Sequence, residues 1–88
     1  MRNNPKLSTR EKDVLYLISK EFSNAKIADF LFLSKNTIDS HRRNLFLKMH
    51  VHSSAGLIRR SYELKILPME MPDAIKVLME TKKVEIKI

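Results

Sequence analysis

The chain lacks cysteine and tryptophan and contains one glycine and three prolines among its 88 residues. Without cysteine it can form no disulfide framework and no thiolate metal site, which is consistent with a reducing compartment. The scarcity of glycine and proline leaves few turn signals, so helices are favoured over a fold of many strands. The opening "MRNNPKLSTR" lacks the apolar stretch of a signal peptide, and no apolar run approaches a membrane span. We therefore predict one small, cytoplasmic domain without a membrane segment.

Positive charge is in excess and unevenly distributed. The formal net charge is +7, and residues 1–64 hold 12 Lys and Arg against 6 Asp and Glu. From Lys35 to Arg60 there are six basic residues and one acid, Asp39. Such a field favours a polyanionic partner, with nucleic acid ahead of an anionic membrane. A merely solvated basic face is the alternative that charge alone leaves open.

Helix caps and apolar periodicity divide the chain into three parts. We predict a flexible arm at residues 1–6, four helices with short connections in residues 7–64, and a C-terminal extension at residues 65–88. Ser8 with Glu11 makes a capping-box pattern at the first helix. The later helices have serine or asparagine at their predicted starts: Ser23 or Asn24, Ser34, and Ser53 or Ser54. In the extension, Pro72 could begin a further helix, and "VEIKI" alternates like a short strand or frays.

The stretch "LSKNTIDSHRRNLFLKM", residues 33–49, predicts a helix with two different faces. Ile38, Leu45 and Met49 recur at the spacing of a buried stripe. A short helix, a tight connector and this longer helix follow the helix-turn-helix plan, in which the second helix enters the major groove. The polar face carries side chains suited to hydrogen-bond recognition: Asn36, Asp39, Ser40 and Arg43. Arg43 could contact guanine with both ends of its guanidinium, and Asp39 could accept from cytosine or orient Arg43.

Four segments together closely resemble the LuxR-type helix-turn-helix domain, nearest to the output domain of NarL/FixJ-like response regulators. They are "LSTREKDVLYLI", "SNAKIADFLFLS", "NTIDSHRRNLFLKM" and "VHSSAGLI". The resemblance implies an all-α, four-helix, DNA-binding domain of a bacterial transcription regulator, here with a short C-terminal extension. It further implies a homodimer through the fourth helix, about residues 54–66, and makes RNA polymerase a candidate partner.

The same resemblance assigns roles to residues by position. It places Asp39, Ser40 and Arg43 against the bases of double-stranded DNA. It places six residues nearer the DNA backbone: Lys26, Lys35, Asn36, Thr37, His41 and Lys48. Thr37 could instead only bond the backbone of its own helix.

Several positions depart from the family pattern. Glu21 and His50 stand where the family usually has glycine, or at His50 also asparagine, so the local turns there could differ. Lys26 replaces a frequent acid. The family normally joins this domain to a receiver or sensor domain, and residues 65–88 extend beyond its usual end, so the chain is either a fragment of a regulator or a stand-alone member.

Other functional classes receive little support. His50 and His52 lie two residues apart without a third ligand nearby, which argues against a metal site. "TIDSHRR" contains Ser, His and Asp, but catalytic triads assemble spatially, and no glycine-rich phosphate loop is present. We therefore expect no enzyme activity and no cofactor.

The sequence leaves two alternatives to a LuxR-type regulator open. One is a protein-interaction module that retains the fold, and the other is a sigma-factor-like promoter-reading domain. Leu47 bears on the first, since it lies one turn beyond Arg43 and should be partly exposed. It would then meet the extension, where Met69, Met71 and Met79 offer an adaptable surface, or belong to a protein interface.

Overall fold

A computed structural model describes residues 4–82, and this part of the chain contains five α-helices and no strand. Helix α1 covers Thr9–Ser19, α2 Asn24–Leu31, α3 Lys35–Met49, α4 Ser54–Glu63 and α5 Asp73–Lys82. The predicted all-α class is thereby confirmed. The strand-like alternation of residues 84–88 lies outside the described residues. No helix in the described part is long and apolar enough to cross a membrane.

Serine side chains cap the first four helices, and of the alternatives that the sequence left open, Ser23 and Ser53 are the caps. The Ser8 hydroxyl accepts from the Glu11 amide at 3.0 Å, and Glu11 Oε1 accepts from the Ser8 amide at 2.9 Å, which completes the capping box. Ser23, Ser34 and Ser53 each accept from a backbone amide in the first turn of α2, α3 and α4. Each cap satisfies an amide that would otherwise have no partner inside its helix.

Left-handed backbone ends several helices although no glycine occupies those positions. Glu21, Phe32, His50 and Lys65 have φ between 57° and 68°. The turns at Glu21 and His50 therefore keep the conformation that glycine would favour. This conformation costs a residue with a side chain roughly 1–2 kcal/mol.

Two predicted helix boundaries need correction. Helix α4 ends at Glu63 and not near residue 66, because Lys65 adopts the left-handed conformation and the Ile66 amide turns back to the Ser61 carbonyl at 2.8 Å. Helix α5 begins at Asp73, one residue after the predicted Pro72. The Pro72 carbonyl accepts from the Lys76 amide at 3.0 Å, so Pro72 precedes the helix as its cap.

The core lies between the first four helices and also includes the extension. Leu15 and Leu17 of α1, Ile27 of α2 and Leu57 of α4 are fully buried in one apolar cluster. The extension adds Leu67, 4% exposed, and Ile75, 0% exposed, to the same cluster. Helix α3 contacts α1, α2 and α4, so its orientation is set by three neighbours.

Candidate nucleic-acid interface

The turn between α2 and α3 is short and tightly bonded. Helix α2 ends at Leu31, and the left-handed backbone of the following Phe32 allows the Leu33 amide to reach the Ala28 carbonyl at 2.9 Å. Ser34 then caps α3 by accepting from the Thr37 amide at 3.1 Å. Three residues thus connect an eight-residue helix to a fifteen-residue helix. This is the arrangement predicted for a helix-turn-helix.

Helix α3 is buried on one side and exposed and mainly polar on the other. The inner stripe of Ile38, Leu45 and Met49 is at most 1% exposed. On the opposite side, residues spaced by four, three and four positions form an exposed row, which is the spacing of one helix face. We call this row the outer face of α3, and it comprises Asn36, Ser40, Arg43 and Leu47.

Arg43 is the exposed cation in the middle of the outer face. Within residues 4–82 no hydrogen bond or ion pair engages its guanidinium, in contrast to Arg42 and Lys48 on the same helix. A guanidinium presents a planar set of N–H donors that matches two acceptors at once. Ser40 lies one turn earlier and is also exposed. The geometry therefore leaves both side chains accessible to a ligand.

Asp39 has a protein partner that the sequence did not indicate. Its Oδ1 accepts from Asn24 Nδ2 at 2.7 Å, and the residue is half-buried. The partner is thus Asn24 in the first turn of α2, while Arg43 has no bond to this carboxylate among the described residues. The bond joins the two helices of the helix-turn-helix across 15 residues of sequence. From the sequence Asn24 is predicted only as a possible cap of α2, because a partner at this separation produces no local pattern.

The remaining predicted backbone contacts differ in accessibility. Lys35 and Asn36 are exposed in the first turn of α3, and His41 is half-buried. Thr37 is part of the α3 cap, since its amide donates to Ser34 Oγ and its hydroxyl lies 2.8 Å from the same atom. Lys26 is exposed on α2, with its Nζ 5.9 Å from the Phe22 ring centroid.

Lys48 is held by the residues that precede and open α1. Its Nζ donates to Glu11 Oε1 at 2.7 Å and to the Lys6 carbonyl at 2.9 Å. Burial acts to raise the pKa of Glu11, but the bonds from Lys48 and Ser8 outweigh it and hold the pKa below its usual value. Two of the three ammonium protons are thereby used, and one remains for another acceptor.

Arg42 is a residue that sequence analysis did not single out. Its guanidinium donates to Ser54 Oγ in the first turn of α4 and lies 5.5 Å from the Phe46 ring centroid. The bond to Ser54 connects α3 to α4 from the side of α3 that borders its buried stripe. Adjacent arginines thus differ in environment, since Arg42 is half-buried against α4 and Arg43 is exposed. The apolar stripe gave a weak signal for this, because position 42 borders Ile38 and Leu45 on the helix surface.

Leu47 remains exposed in the folded chain. Its exposed fraction is 67%, and the sequence predicts partial exposure at this position. This value includes the extension as far as Lys82, the last residue described. Met69, Met71 and Met79 are instead partly buried against the core. The described part of the extension therefore leaves Leu47 accessible.

Histidine and carboxylate side chains do not gather into a metal-binding cluster in residues 4–82, where no group of three or more lies close enough.

Together, a short bracing helix, a three-residue turn and a longer helix with an exposed outer face define a helix-turn-helix domain. The profile of the family described as bacterial regulatory proteins, luxR family, matches residues 5–61. The chain therefore belongs to the LuxR family of bacterial regulatory proteins, a family of DNA-binding transcription regulators. The match favours this family over a sigma-factor-like domain.

Several curated relatives are similar over the same region. The uncharacterized response regulatory protein YgeK of Escherichia coli is 38% identical over 60 residues, which cover 68% of this chain and 41% of that protein. The Fimbriae Z protein of Salmonella typhimurium is 43% identical over 60 residues, covering 66% and 29% respectively. The oxygen regulatory protein NreC of Staphylococcus carnosus is 34% identical over 61 residues, covering 69% and 28%. The match thus spans less than half the length of these relatives, and no solved structure matches the chain.

Proposed function

We propose that the chain binds duplex DNA sequence-specifically as part of a bacterial transcription regulator, with α3 as the recognition helix in the major groove. The observation that carries this proposal is the outer face of α3, which is exposed directly opposite the buried stripe of the same helix. The major groove admits a helix and presents a distinct donor and acceptor pattern for each base pair. The net charge of +7 supplies attraction to phosphates.

The proposed contact residues fall into two groups: those that discriminate between base pairs and those that contribute affinity through the DNA backbone. Arg43 and Ser40 contact base edges, and Asp39 accepts from a cytosine amine with Oδ2 while Oδ1 stays bonded to Asn24. Lys48 donates its remaining proton to a phosphate while Glu11 fixes its position. The other proposed backbone contacts are Lys26, Lys35, Asn36, Thr37 and His41.

We also propose a homodimer that uses α4 and the residues after it, with RNA polymerase as a further candidate partner. Tyr62 on α4 is 54% exposed. Its apolar ring and its hydroxyl group would give a partner subunit an amphipathic contact. A symmetric dimer predicts two half-sites about one helical turn of DNA apart.

Selection from random duplex DNA tests the function directly. The full chain would be used near physiological salt, where nonspecific electrostatic binding is weakened. Enrichment of a defined motif is expected, and two-fold symmetry within it would support the dimer. Uniform binding that disappears with rising salt, without an enriched motif, would contradict sequence-specific recognition.

Arg43→Ala is the first variant to test on the selected duplex. We expect it to lose about 1–3 kcal/mol of binding free energy and to relax specificity at one or two base pairs. The matched variant Arg43→Lys keeps the charge but lacks the planar donor pair, so it should retain phosphate attraction and lose discrimination. Quantitative binding to the selected duplex and its single-base variants measures both effects. Equal affinities of wild type and Arg43→Ala would remove Arg43 from the proposed contacts.

A second candidate function is a protein-interaction module, and the exposure of Leu47 favours it. An exposed leucine at the end of the outer face suits a protein partner better than a phosphate. Leu47→Ala should then weaken partner binding and leave DNA affinity unchanged. Loss of DNA affinity in Leu47→Ala would instead assign this side chain to the DNA interface.

A further inference from the structure

The C-terminal extension folds back onto the bracing helix of the helix-turn-helix. Ile75 of α5 is fully buried, and Leu78 and Met79 pack partly buried against the core. These three residues share one face of α5, and Lys82 follows on it one turn after Leu78. The extension lies beyond the residues that match the family, 5–61, so its role is not supplied by the family assignment.

Lys82 makes three contacts at the carboxyl end of α2. Its Nζ donates to the Asp29 carbonyl at 3.0 Å and lies 4.8 Å and 4.2 Å from the ring centroids of Phe30 and Phe32. A cation is favoured at this end of a helix because the terminal carbonyls carry partial negative charge. The two aromatic faces attract the same ammonium group.

These contacts lie at the α2–α3 turn, which sets the direction in which α3 begins. The Asp29 carbonyl that accepts from Lys82 also accepts from the Phe32 amide at 3.3 Å. Phe32 has a left-handed backbone, which is unfavourable for a residue with a side chain, and the residue is 74% exposed. The core therefore provides little to hold Phe32, and Lys82 supplies a contact to both its carbonyl partner and its ring.

We propose that the C-terminal extension orients the recognition helix through Lys82, which fixes the α2–α3 turn at Asp29 and Phe32. Lys82 is on this account a positioning residue that acts on DNA discrimination without touching DNA. The proposal rests on the proposed function. A merely stabilising lysine would lower the affinity for all duplexes together, whereas a positioning lysine changes the ratio between correct and incorrect sites.

The test compares three variants of the full chain. Lys82→Met keeps most of the apolar stem and removes the ammonium group, and Lys82→Arg restores a cation that can stack on aromatic rings. Lys76→Met removes the same charge from an exposed position of the same helix and serves as the matched control. Affinities for the selected duplex and for its single-base variants are measured at one salt concentration, together with amide exchange at Phe32 and Leu33.

Lys82→Met should lower the ratio between the selected duplex and its variants by about two- to fivefold, the equivalent of one cation–π contact. Lys82→Arg should restore the ratio, and Lys76→Met should leave it unchanged. The amides of Phe32 and Leu33 should exchange faster in Lys82→Met only, because their bonds to Asp29 and Ala28 close the turn.

Equal weakening on every duplex, with an unchanged ratio, would overturn the proposal. If the wild-type chain discriminates between no duplexes, the proposed function fails, and amide exchange decides on the positioning role alone. In that case, equal exchange rates in Lys82→Met and Lys76→Met would overturn it, and selectively faster exchange would support it.

Discussion

Arg43 and Lys48 carry the same charge on one helix but lie in different surroundings. The Arg43 guanidinium is exposed on the outer face, whereas the Lys48 ammonium is bonded to Glu11 and to the arm before α1. A cation paired with a carboxylate contributes less net field to a polyanion than an unpaired cation does. Arg43 is therefore the better candidate for an energetic contact with DNA, and Lys48 for a contact that also stabilises the fold.

The Glu11–Lys48 pair predicts a pH-dependent stability. Glu11→Gln retains an acceptor for the Ser8 amide and removes the charge that pairs with Lys48. We expect it to lower the free energy of unfolding by about 1 kcal/mol at pH 7. This is less than a fully buried ion pair would contribute, because the Lys48 side chain is 39% exposed and water screens the charge. Thermal melts of wild type and variant between pH 3 and pH 7 measure the difference.

The lowered pKa of Glu11 determines the direction in which the stabilisation by this ion pair changes with pH. Its contribution is present above the ordinary value of 4.5 and is lost as the pH falls through the lower value of the folded chain. The difference between wild type and Glu11→Gln should therefore shrink on acidification. Ser8 and the caps of other helices are common to both proteins, so they do not affect this comparison. A difference that grows or stays constant below pH 4 would contradict the assigned ion pair.

At the scale of helices, the sequence predicts those features whose interacting residues are close together in the chain. The caps Ser8, Ser34 and Ser53 and the buried stripe of α3 are local patterns, with partners three or four residues away. The links between helices are different, since Asn24–Asp39, Glu11–Lys48 and Asp29–Lys82 span 15, 37 and 53 residues. No periodicity encodes such pairs. The accessible face of α3 could therefore be predicted, while the restraints on Asp39 and Lys48 required the fold.

The end of α3 offers a test of how much its turn costs. His50 has φ 57°, and its amide and that of Val51 bond back to Leu47 and Phe46, at 3.3 Å and 3.0 Å. Glycine adopts this backbone without steric cost, although it loses more entropy on folding. His50→Gly should therefore stabilise the chain by about 0.5–1 kcal/mol. Thermal or urea unfolding measures the change.

His52→Gly provides the control for this substitution. His52 is also an exposed histidine in the α3–α4 connection, but its φ is not among the positive ones. Glycine there adds only the entropy loss and should destabilise the chain by a few tenths to about 1 kcal/mol. Opposite signs for the two variants identify the left-handed backbone as the cause. Destabilisation by both would mean that the His50 side chain contributes more than its backbone costs.

For the molecule as a whole, the extension enlarges a core that would otherwise be small. A chain of 88 residues has an expected free energy of unfolding of roughly 4–13 kcal/mol. Leu67 and Ile75 are buried in the same cluster as the stripes of α1 to α4. The family match ends at residue 61, so Leu67 and Ile75 add contacts to the core from outside the matched region. We therefore expect the extension to share the cooperative unfolding of the helix-turn-helix.

Ile75→Ala tests that expectation with one side chain. Because Ile75 is fully buried, its truncation should cost about 2–5 kcal/mol and lower Tm by roughly 8 °C or more. Val77→Ala on the same helix is the matched control, since Val77 is 61% exposed and should change stability by about 0.5 kcal/mol or less. Melting should remain a single transition in both variants, followed in parallel by helix content and by the fluorescence of Tyr16 in α1 and Tyr62 in α4. Equal melting of the two variants would show that α5 is independent of the core, and the positioning role proposed for Lys82 would then lose its mechanical basis.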